Sequence, residues 1–207
     1  QKQIEQVVVL GCGMDTRYFR LNLTSEANLK WFEIDLPVVI HARSRLLGLY
    51  QPGKHERRIP ICADLADADW GSLLAAQGFN PEQPTTWVLE GLLMYLEPSV
   101  VDRLANDLSR LSAVGSAIVA SSVDTESLTA ARESSSRLQQ SWRWGVDDPA
   151  AYFQERLGTD WSVTAAYMGQ VGSYPLGANY EVWRPEDVLK WRRKGKTFYT
   201  VAKKRKV

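Results

Sequence analysis

The chain has 207 residues, of which 44% are hydrophobic, and a formal net charge of +1. These values are typical of one globular domain with a substantial core, and they exclude the strongly basic balance of a nucleic-acid-binding protein. The sequence contains no apolar run of the roughly 20 residues that a membrane helix needs and no visible signal peptide. We therefore expect a cytoplasmic protein whose partners include neither a membrane nor a nucleic acid.

Strands and helices are predicted to alternate along the first half of the chain. Hydrophobic periodicity and turn residues place strands at 6–10, 29–34, 58–63, 85–89 and 117–121, and helices at 37–49, 68–77 and 98–112. Such alternation favours right-handed crossovers and a mostly parallel sheet that is covered on both faces. The sequence therefore predicts a doubly wound α/β fold.

The pattern loosens in the second half of the chain. A serine-rich stretch at 121–136 indicates either a loop or an exposed helix. Further helices are predicted at 148–157 and 185–194, and further strands at 161–167 and 196–202. Because no linker separates these elements from the first half, we interpret residues 1–207 as one domain in which residues 122–195 lie on the substrate side.

A glycine turn directly follows the first predicted strand. The aliphatic run at 7–10 leads into Gly11 and Gly13, which lack a Cβ and so let the backbone turn sharply and approach a ligand closely. Thr16 stands where the dinucleotide fingerprint has its third glycine. The pattern therefore favours a nucleoside ligand without a pyrophosphate, and it disfavours the alternative of an NAD-dependent oxidoreductase.

An acidic residue follows each of the first two strands. Ligands of doubly wound sheets lie at the carboxyl ends of the strands, and an acidic residue about 20 positions after the glycines can accept both hydroxyls of a ribose. We assign this role to Asp35 in preference to Glu33, because both face the same way and Asp35 is nearer the strand end. For Asp15, which follows the glycines, capping of a helix is an open alternative.

Acidic residues also follow the third and fourth strands. Asp64 is placed to accept from the amine of adenine while the N–H of Leu65 meets a ring nitrogen, and Glu90 is placed to face an ammonium group. Helix capping is an open alternative for Glu90 as well. A ligand with adenine, ribose and ammonium but no phosphate is S-adenosylmethionine.

Four segments, in this order, resemble the leucine carboxyl methyltransferase family and its bacterial and polyketide O-methyltransferases. They are VVVLGCGMDTRYFRL at 7–21, WFEIDLP at 31–37, ADL at 63–65 and LEGLLMYL at 89–96. The resemblance implies a Rossmann-like, class I methyltransferase sheet of seven strands with the last antiparallel. It also implies that Gly11, Asp35, Asp64, Leu65 and Glu90 contact S-adenosylmethionine.

Members of this family usually begin with helices that cover the cofactor and supply basic residues to its carboxylate. This sequence begins at the first strand, so we expect Arg17 to serve that carboxylate in part or to orient Asp15. The resemblance also implies an acceptor pocket in the later half of the chain, with the aromatic residues Trp142, Trp144, Tyr174 and Tyr180. Tyr95 is either a further acceptor contact or a core aromatic.

The residue types bear on which acceptor is methylated. A carboxylate is ionised at neutral pH and needs no base, whereas a phenol benefits from one. Both histidines, His41 and His55, lie away from the predicted strand ends, so the sequence favours a carboxylate of a small molecule or peptide C-terminus. No cluster of residues has the spacing of metal ligands, so no metal is expected.

We therefore predict an S-adenosylmethionine-dependent O-methyltransferase that acts by in-line displacement. The principal alternative is a truncated or partner-dependent methyltransferase-like domain without independent activity. A nucleic-acid methyltransferase is disfavoured because residues 90–93 lack the polar-proline-aromatic motif of such enzymes.

Two smaller expectations concern side chains outside this site. Cys12 and Cys62 are expected to be reduced and buried, since they form no metal-type cluster. The basic run at 203–206 is expected to be a solvated terminus, with a nuclear-import signal or a polyanion patch as alternatives.

Overall fold

A computed structural model describes residues 4–21, 29–50, 58–167 and 196–206, with the side chains of 47–50 excepted. Its strands are β1 (Gln6–Leu10), β2 (Lys30–Asp35), β3 (Arg58–Cys62), β4 (Thr85–Leu89), β5 (Ala117–Val123), β6 (Trp161–Tyr167) and β7 (Thr197–Lys204). They form one sheet in the order β3-β2-β1-β4-β5-β7-β6. The strands β1 to β5 pair in parallel, and β7 pairs antiparallel with both β5 and β6. The predicted sheet with its last strand antiparallel is confirmed.

The helices lie between the strands, as the alternating pattern predicts. They are α1 (Arg17–Arg20), α2 (Pro37–Tyr50), α3 (Trp70–Ala76), α4 (Pro98–Arg110), α5 (Thr125–Arg132), α6 (Arg137–Gln140) and α7 (Pro149–Leu157), with a 3-10 turn at Leu93–Tyr95. The predicted helix at 185–194 lies outside the described residues. Within the described ranges, no helix is long and apolar enough to cross a membrane.

The serine-rich stretch contains a short helix rather than only a loop. Asp124 begins α5, because its carboxylate accepts a hydrogen bond of 2.7 Å from the N–H of Ser127. This carboxylate cap satisfies one of the donors that the first helical turn leaves unpaired. Of the two structures that the sequence left open for this stretch, a helix is therefore present at Thr125–Arg132.

Helices cover the sheet on both faces, and the core has two parts. On the larger side, Trp70 lies edge-to-face against Trp87 of β4, and the indole N–H of Trp87 donates to the hydroxyl of Ser112 at 2.9 Å. On the smaller side, Val9 of β1 packs with Ile40 of α2. Strand β1 lies between β2 and β4. From β1 the chain continues to β2 and β3 on one side of the sheet, and from β4 it continues to β5 on the other side, so the strand order reverses at this point. In doubly wound sheets this switch point forms a ligand crevice at the carboxyl edge.

The predicted burial is confirmed for Cys12 and is wrong for Cys62. Cys12 is buried, and its burial raises the pKa of the thiol to about 12. Cys62 is exposed. It belongs to the edge strand β3, where Ile61 is buried on one face of the sheet and the next side chain points to the opposite face, with a neighbouring strand on one side only.

The backbone of the basic terminus is part of the fold up to Arg205, while the side chains of Lys203, Arg205 and Lys206 are exposed, so this run is solvated as expected but is not frayed. Strand β7 continues to Lys204, whose Nζ lies 3.3 Å from an oxygen of Asp160 and donates to the carbonyl of Ser109 at 3.0 Å. The backbone N–H of Arg205 donates to the carbonyl of Asp160 at 2.7 Å. The sheet hydrogen bonds of the last strand therefore order a segment whose charge alone suggests solvent.

Candidate cofactor site at the carboxyl edge of the sheet

The eight residues predicted to hold the cofactor follow the ends of four adjacent strands. The strand order β3-β2-β1-β4 places them along one edge of the sheet. Gly11, Gly13, Asp15 and Arg17 follow β1, Asp35 ends β2, Asp64 and Leu65 follow β3, and Glu90 follows β4. The tertiary structure thus aligns positions that are up to 79 residues apart in sequence, counted from Gly11 to Glu90.

The glycine turn is closely packed at Gly11 and open at Gly13. Gly11 has a φ of +64°, and a Cβ at this position would lie 2.8 Å from Cδ1 of Leu92, so the turn requires glycine there. Gly13 has a φ of +47°, but a Cβ there would meet no atom within 4 Å. The backbone at Gly13 therefore borders open space in which a ligand can approach it.

Asp35 connects the glycine turn to the end of β2. One carboxylate oxygen accepts a hydrogen bond from the N–H of Gly13, and the other accepts from the N–H of Leu36, both at 2.8 Å. A carboxylate has about four acceptor positions, so about two of them stay available for a ligand. Asp35 is only partly buried, whereas Glu33 is 1% exposed and faces the interior.

Arg17 joins the carboxylates of Asp15 and Glu90. Its Nε and Nη2 lie 2.7 and 2.6 Å from Oδ2 of Asp15, and its Nη1 lies 2.5 Å from Oε2 of Glu90. The second oxygen of Asp15 accepts from the backbone N–H of Arg17 at 2.7 Å. The side chains of Arg17 and Glu90 are 30% and 36% exposed, so this pair is open to solvent and to a ligand.

The contacts among Asp15, Arg17 and Glu90 shift the pKa values of Asp15 and Arg17. Burial favours the neutral form of Asp15, but the hydrogen bonds and charge of Arg17 outweigh it and hold the pKa of Asp15 below its ordinary value. The hydrogen bond from Arg17 to Asp15, with the charges of Asp15 and Glu90, raises the pKa of Arg17. At neutral pH Asp15 is therefore ionised and Arg17 is protonated.

The loop after β3 presents Asp64 to solvent and places Leu65 in the core. One oxygen of Asp64 accepts from the N–H of Ala66 at 2.8 Å, and the side chain of Leu65 is 5% exposed. Arg103 of α4 donates to the carbonyl of Leu65 at 3.3 Å and also to the carbonyl of Ala66. Sequence reasoning missed Arg103, because only the fold brings α4 to this loop.

The segment after the glycine turn is supported by a buried ion cluster of Glu33, Arg43 and Arg58. Sequence reasoning also missed this cluster. Glu33 is 1% exposed and forms ion pairs with Arg43 of α2 and Arg58 of β3. Arg43 also donates to the backbone carbonyl of Asp15. The available signal was Glu33 itself, since a carboxylate inside a buried strand needs a charged partner. The cluster fixes the position of the chain that leads into the Asp15–Arg17 pair.

Glu90 is followed by a turn that β5 holds in place. The backbone N–H of Gly91 donates to the hydroxyl of Ser121 at 2.8 Å, and Gly91 has a φ of +64°. Beyond it, Tyr95 is half-buried and its ring centroid lies 6.5 Å from that of Trp142. The structure thus places the candidate acceptor residue Tyr95 against one aromatic residue of the predicted pocket.

The other predicted pocket residues have different positions. Trp144 is 5% exposed and its ring lies 5.2 Å from the ring of Tyr152, within the core. Tyr174 and Tyr180 lie outside the described residues. His41 is exposed on α2, and His55 also lies outside the described residues. In the part of the chain that the structure describes, no group of His, Cys, Asp or Glu is placed to hold a metal ion.

Known proteins identify the family. A family model described as leucine carboxyl methyltransferase matches residues 1–109, which are just over half of the chain. This chain belongs to the leucine carboxyl methyltransferase family. The match contains all four segments that suggested the family and all eight predicted cofactor residues, so the resemblance drawn from the sequence is confirmed.

Relatives in this family carry the names of S-adenosyl-L-methionine-dependent methyltransferases. A Mycobacterium marinum protein is 40% identical over 143 residues, which cover 68% of this chain and 43% of that protein. A Streptomyces coelicolor protein is 39% identical over 144 residues, which cover 70% of this chain and 46% of that protein. The chain therefore spans less than half the length of these two relatives.

Solved structures show the same fold at low sequence identity. A Thermobifida fusca protein described as a methyltransferase has a TM-score of 0.65 at 18% identity, and the match covers 98% of this chain and 74% of that one. Haemonchus contortus phosphoethanolamine N-methyltransferase 2, in complex with S-adenosyl-L-methionine, has a TM-score of 0.61 at 11% identity and covers 100% of this chain and 50% of that one. This chain thus has the fold of class I methyltransferases.

Proposed function

We propose that this chain binds S-adenosylmethionine and transfers its methyl group to an oxygen of a carboxylate or hydroxyl acceptor, on a small molecule or a peptide C-terminus. The observation that carries the proposal is the hydrogen bond between the N–H of Gly13 and the carboxylate of Asp35, at the switch point of the sheet. Because of this bond, the carboxylate that we assign to the two hydroxyls of a ribose lies directly beside an open backbone turn. This is the arrangement that an adenosine ligand without phosphate needs.

The residues at the sheet edge fit an adenosyl amino acid. The open space at Gly13 admits the ligand to the backbone, and the free acceptor positions of Asp35 suit the two hydroxyls of a ribose. Asp64 is exposed and accepts one internal hydrogen bond, which leaves acceptor positions for an amine. The fit therefore extends along the edge from β3 to β1.

Each of the eight edge residues has one role in this proposal. Gly11 and Gly13 allow close approach of the backbone, Asp35 accepts from the ribose, and Asp64 with the N–H of Leu65 recognises adenine. Glu90 faces the ammonium group of the methionine moiety, and Arg17, oriented by Asp15, faces its carboxylate.

The acceptor chemistry follows from what the reaction demands of the protein. When bound, S-adenosylmethionine supplies a methyl group on a positively charged sulfur. The protein's contribution is then to align the acceptor and exclude water, which can supply roughly 7 to 11 kcal/mol. A carboxylate acceptor needs no general base at neutral pH. This matters because His41, the histidine among the described residues, is exposed on α2 and is not one of the edge residues. These points, with the carboxyl acceptor in the family's description, favour a carboxylate.

Titration and product analysis test the proposal in two steps. We expect S-adenosylmethionine and S-adenosylhomocysteine to bind in calorimetry with micromolar affinity and NAD not to bind. With a methyl-labelled donor, we then expect carboxylate acceptors to give base-labile methyl esters that release labelled methanol, while phenolic acceptors give stable ethers. NAD binding without S-adenosylhomocysteine binding would overturn the proposal. A labelled product that resists base would show that the acceptor is a hydroxyl and not a carboxylate.

A second candidate function has one observation in its favour. Met14 follows Gly13 and Val38 lies three residues after Asp35, and their side chains are 58% and 70% exposed. Large apolar side chains in such positions are typical of a surface that another segment or protein covers. A domain that needs such a cover would bind the cofactor weakly and show methyl transfer only when the cover is supplied, and the same two assays distinguish this case.

A further inference from the structure

We infer that Arg17 determines selectivity for a zwitterionic ligand, because it occupies the carboxylate of Glu90 until a ligand brings both an ammonium and a carboxylate group. This inference rests on the proposed function, and it concerns how the two ends of the methionine moiety are recognised. Its starting point is the 2.5 Å contact between Nη1 of Arg17 and Oε2 of Glu90.

The contact pairs two residues that are each assigned to a different charge of the ligand. Glu90 is the partner for the ammonium group and Arg17 is the partner for the carboxylate. In the structure they pair with each other, so each takes the position of one charged group of the ligand. A ligand that carries only an ammonium group must displace Arg17 from Glu90 and also lie close to the guanidinium.

A zwitterionic ligand avoids this cost. It brings an anion for Arg17 together with a cation for Glu90, so one ion pair is exchanged for two. Arg17 stays oriented during this exchange, because its Nε and Nη2 remain on Asp15. Asp15 is more buried than the other two, with a side chain that is 12% exposed, and its second oxygen is held by the backbone N–H of Arg17.

The geometry leaves the Arg17–Glu90 contact free to open. Both side chains are about one-third exposed, and Gly91 next to Glu90 borders open space, since a Cβ there would meet no atom within 4 Å. Ion pairs at this level of exposure are weak, because water screens both charges. The pair is therefore strong enough to shift selectivity severalfold and weak enough for the cofactor to open it.

Three nucleosides that differ only at the 5′ side chain separate the contributions. S-adenosylhomocysteine carries both charges, 5′-(3-aminopropylthio)adenosine carries only the ammonium group, and 5′-methylthioadenosine carries neither. Calorimetry with the full chain gives the affinity of each for the unmodified protein and for Arg17→Gln. Arg20→Gln is the matched control, because it removes the same charge from an exposed position on the same helix.

The expected result is a change of opposite sign for two of the ligands. Arg17→Gln should bind the ammonium-only nucleoside roughly two- to fivefold more tightly and S-adenosylhomocysteine more weakly, with 5′-methylthioadenosine unchanged. Glu90→Gln should weaken both charged ligands and leave the neutral one unchanged. Arg20→Gln should change none of the three.

Each other outcome overturns a defined part of the argument. If Arg17→Gln leaves the affinity for the ammonium-only nucleoside unchanged or weakens it, Arg17 does not compete for Glu90 and the inference is wrong. Binding of S-adenosylhomocysteine to the unmodified chain would still keep the proposed function. If none of the three nucleosides binds the unmodified chain, the proposed function fails and the inference fails with it.

Discussion

The backbone N–H of Gly13 donates to a carboxylate oxygen of Asp35 at 2.8 Å, which joins the turn after β1 to the end of β2. This single bond positions the proposed ribose acceptor relative to the open turn. It also fixes the orientation of the Asp35 carboxylate, because the N–H of Leu36 donates to its other oxygen at 2.8 Å.

Replacement of Asp35 by alanine is expected to weaken nucleoside binding. Loss of a charged hydrogen-bond acceptor costs about 1.5 to 3 kcal/mol, so the affinity for S-adenosylhomocysteine should fall by roughly 10- to 150-fold. Calorimetric titration of Asp35→Ala measures this, with Asp69→Ala as a control at an exposed aspartate before α3. An unchanged affinity for Asp35→Ala would refute the ribose assignment.

Replacement of Arg43 by methionine is expected to destabilise the fold. It leaves the carboxylate of Glu33 buried beside only one of its two cationic partners, and removal of one member of a buried ion pair costs about 3 to 5 kcal/mol. Urea denaturation measures the free energy of unfolding.

The matched control for Arg43→Met is Arg110→Met. Arg110 is 68% exposed and pairs with Asp107 on the same helix, so its loss should change the free energy of unfolding by less than about 1 kcal/mol. Equal effects of the two substitutions would show that the Glu33 cluster does not stabilise the glycine turn.

Two glycine substitutions are expected to have opposite effects on stability. A Cβ at Gly145 would lie 2.8 Å from the carbonyl oxygen of Asp124, so Gly145→Ala should destabilise the fold by about 1 to 3 kcal/mol. Gly71 lies within α3, where a Cβ would meet Leu111 at an ordinary 3.6 Å, so Gly71→Ala should stabilise it by roughly 0.5 to 1 kcal/mol. Thermal unfolding of both variants compares them directly, and a stable Gly145→Ala protein would contradict the close approach of these two segments.

The ionisation of Asp15 predicts a pH-dependent contribution to stability. Its pKa in the folded chain lies below the ordinary value of 3.8, so the ionised group stabilises the fold above that pH and this stabilisation is lost as the pH falls through the folded pKa. The difference in unfolding free energy between the unmodified chain and Asp15→Asn should therefore be largest near neutral pH and shrink below 3.8. A difference that grows on acidification would have the wrong sign for this prediction.

Much of the fold could be predicted because its signals are local. The aliphatic run that forms β1 and the β-branched and aromatic run that forms β4 appear in the structure with the predicted bounds. The exposure of Cys62 and the ordered backbone of the basic terminus were not predicted, for the same reason: an edge strand and a paired last strand are defined by their neighbours in the sheet, which lie far away in the sequence.

The sequence by itself determined the alternating α/β architecture, the glycine turn and the acidic residue after each of four strands, because strand periodicity and strand-end chemistry are read within a few residues. Only the tertiary structure decided which groups meet. They are the carboxylate of Asp35 with the N–H of Gly13, Arg17 with Glu90, and Glu33 with Arg43 and Arg58. The physical reason is that ion pairs and hydrogen bonds act over about 3 Å. Their partners are therefore chosen by the order of the strands and by the helices that pack on them, which residue spacing alone does not specify.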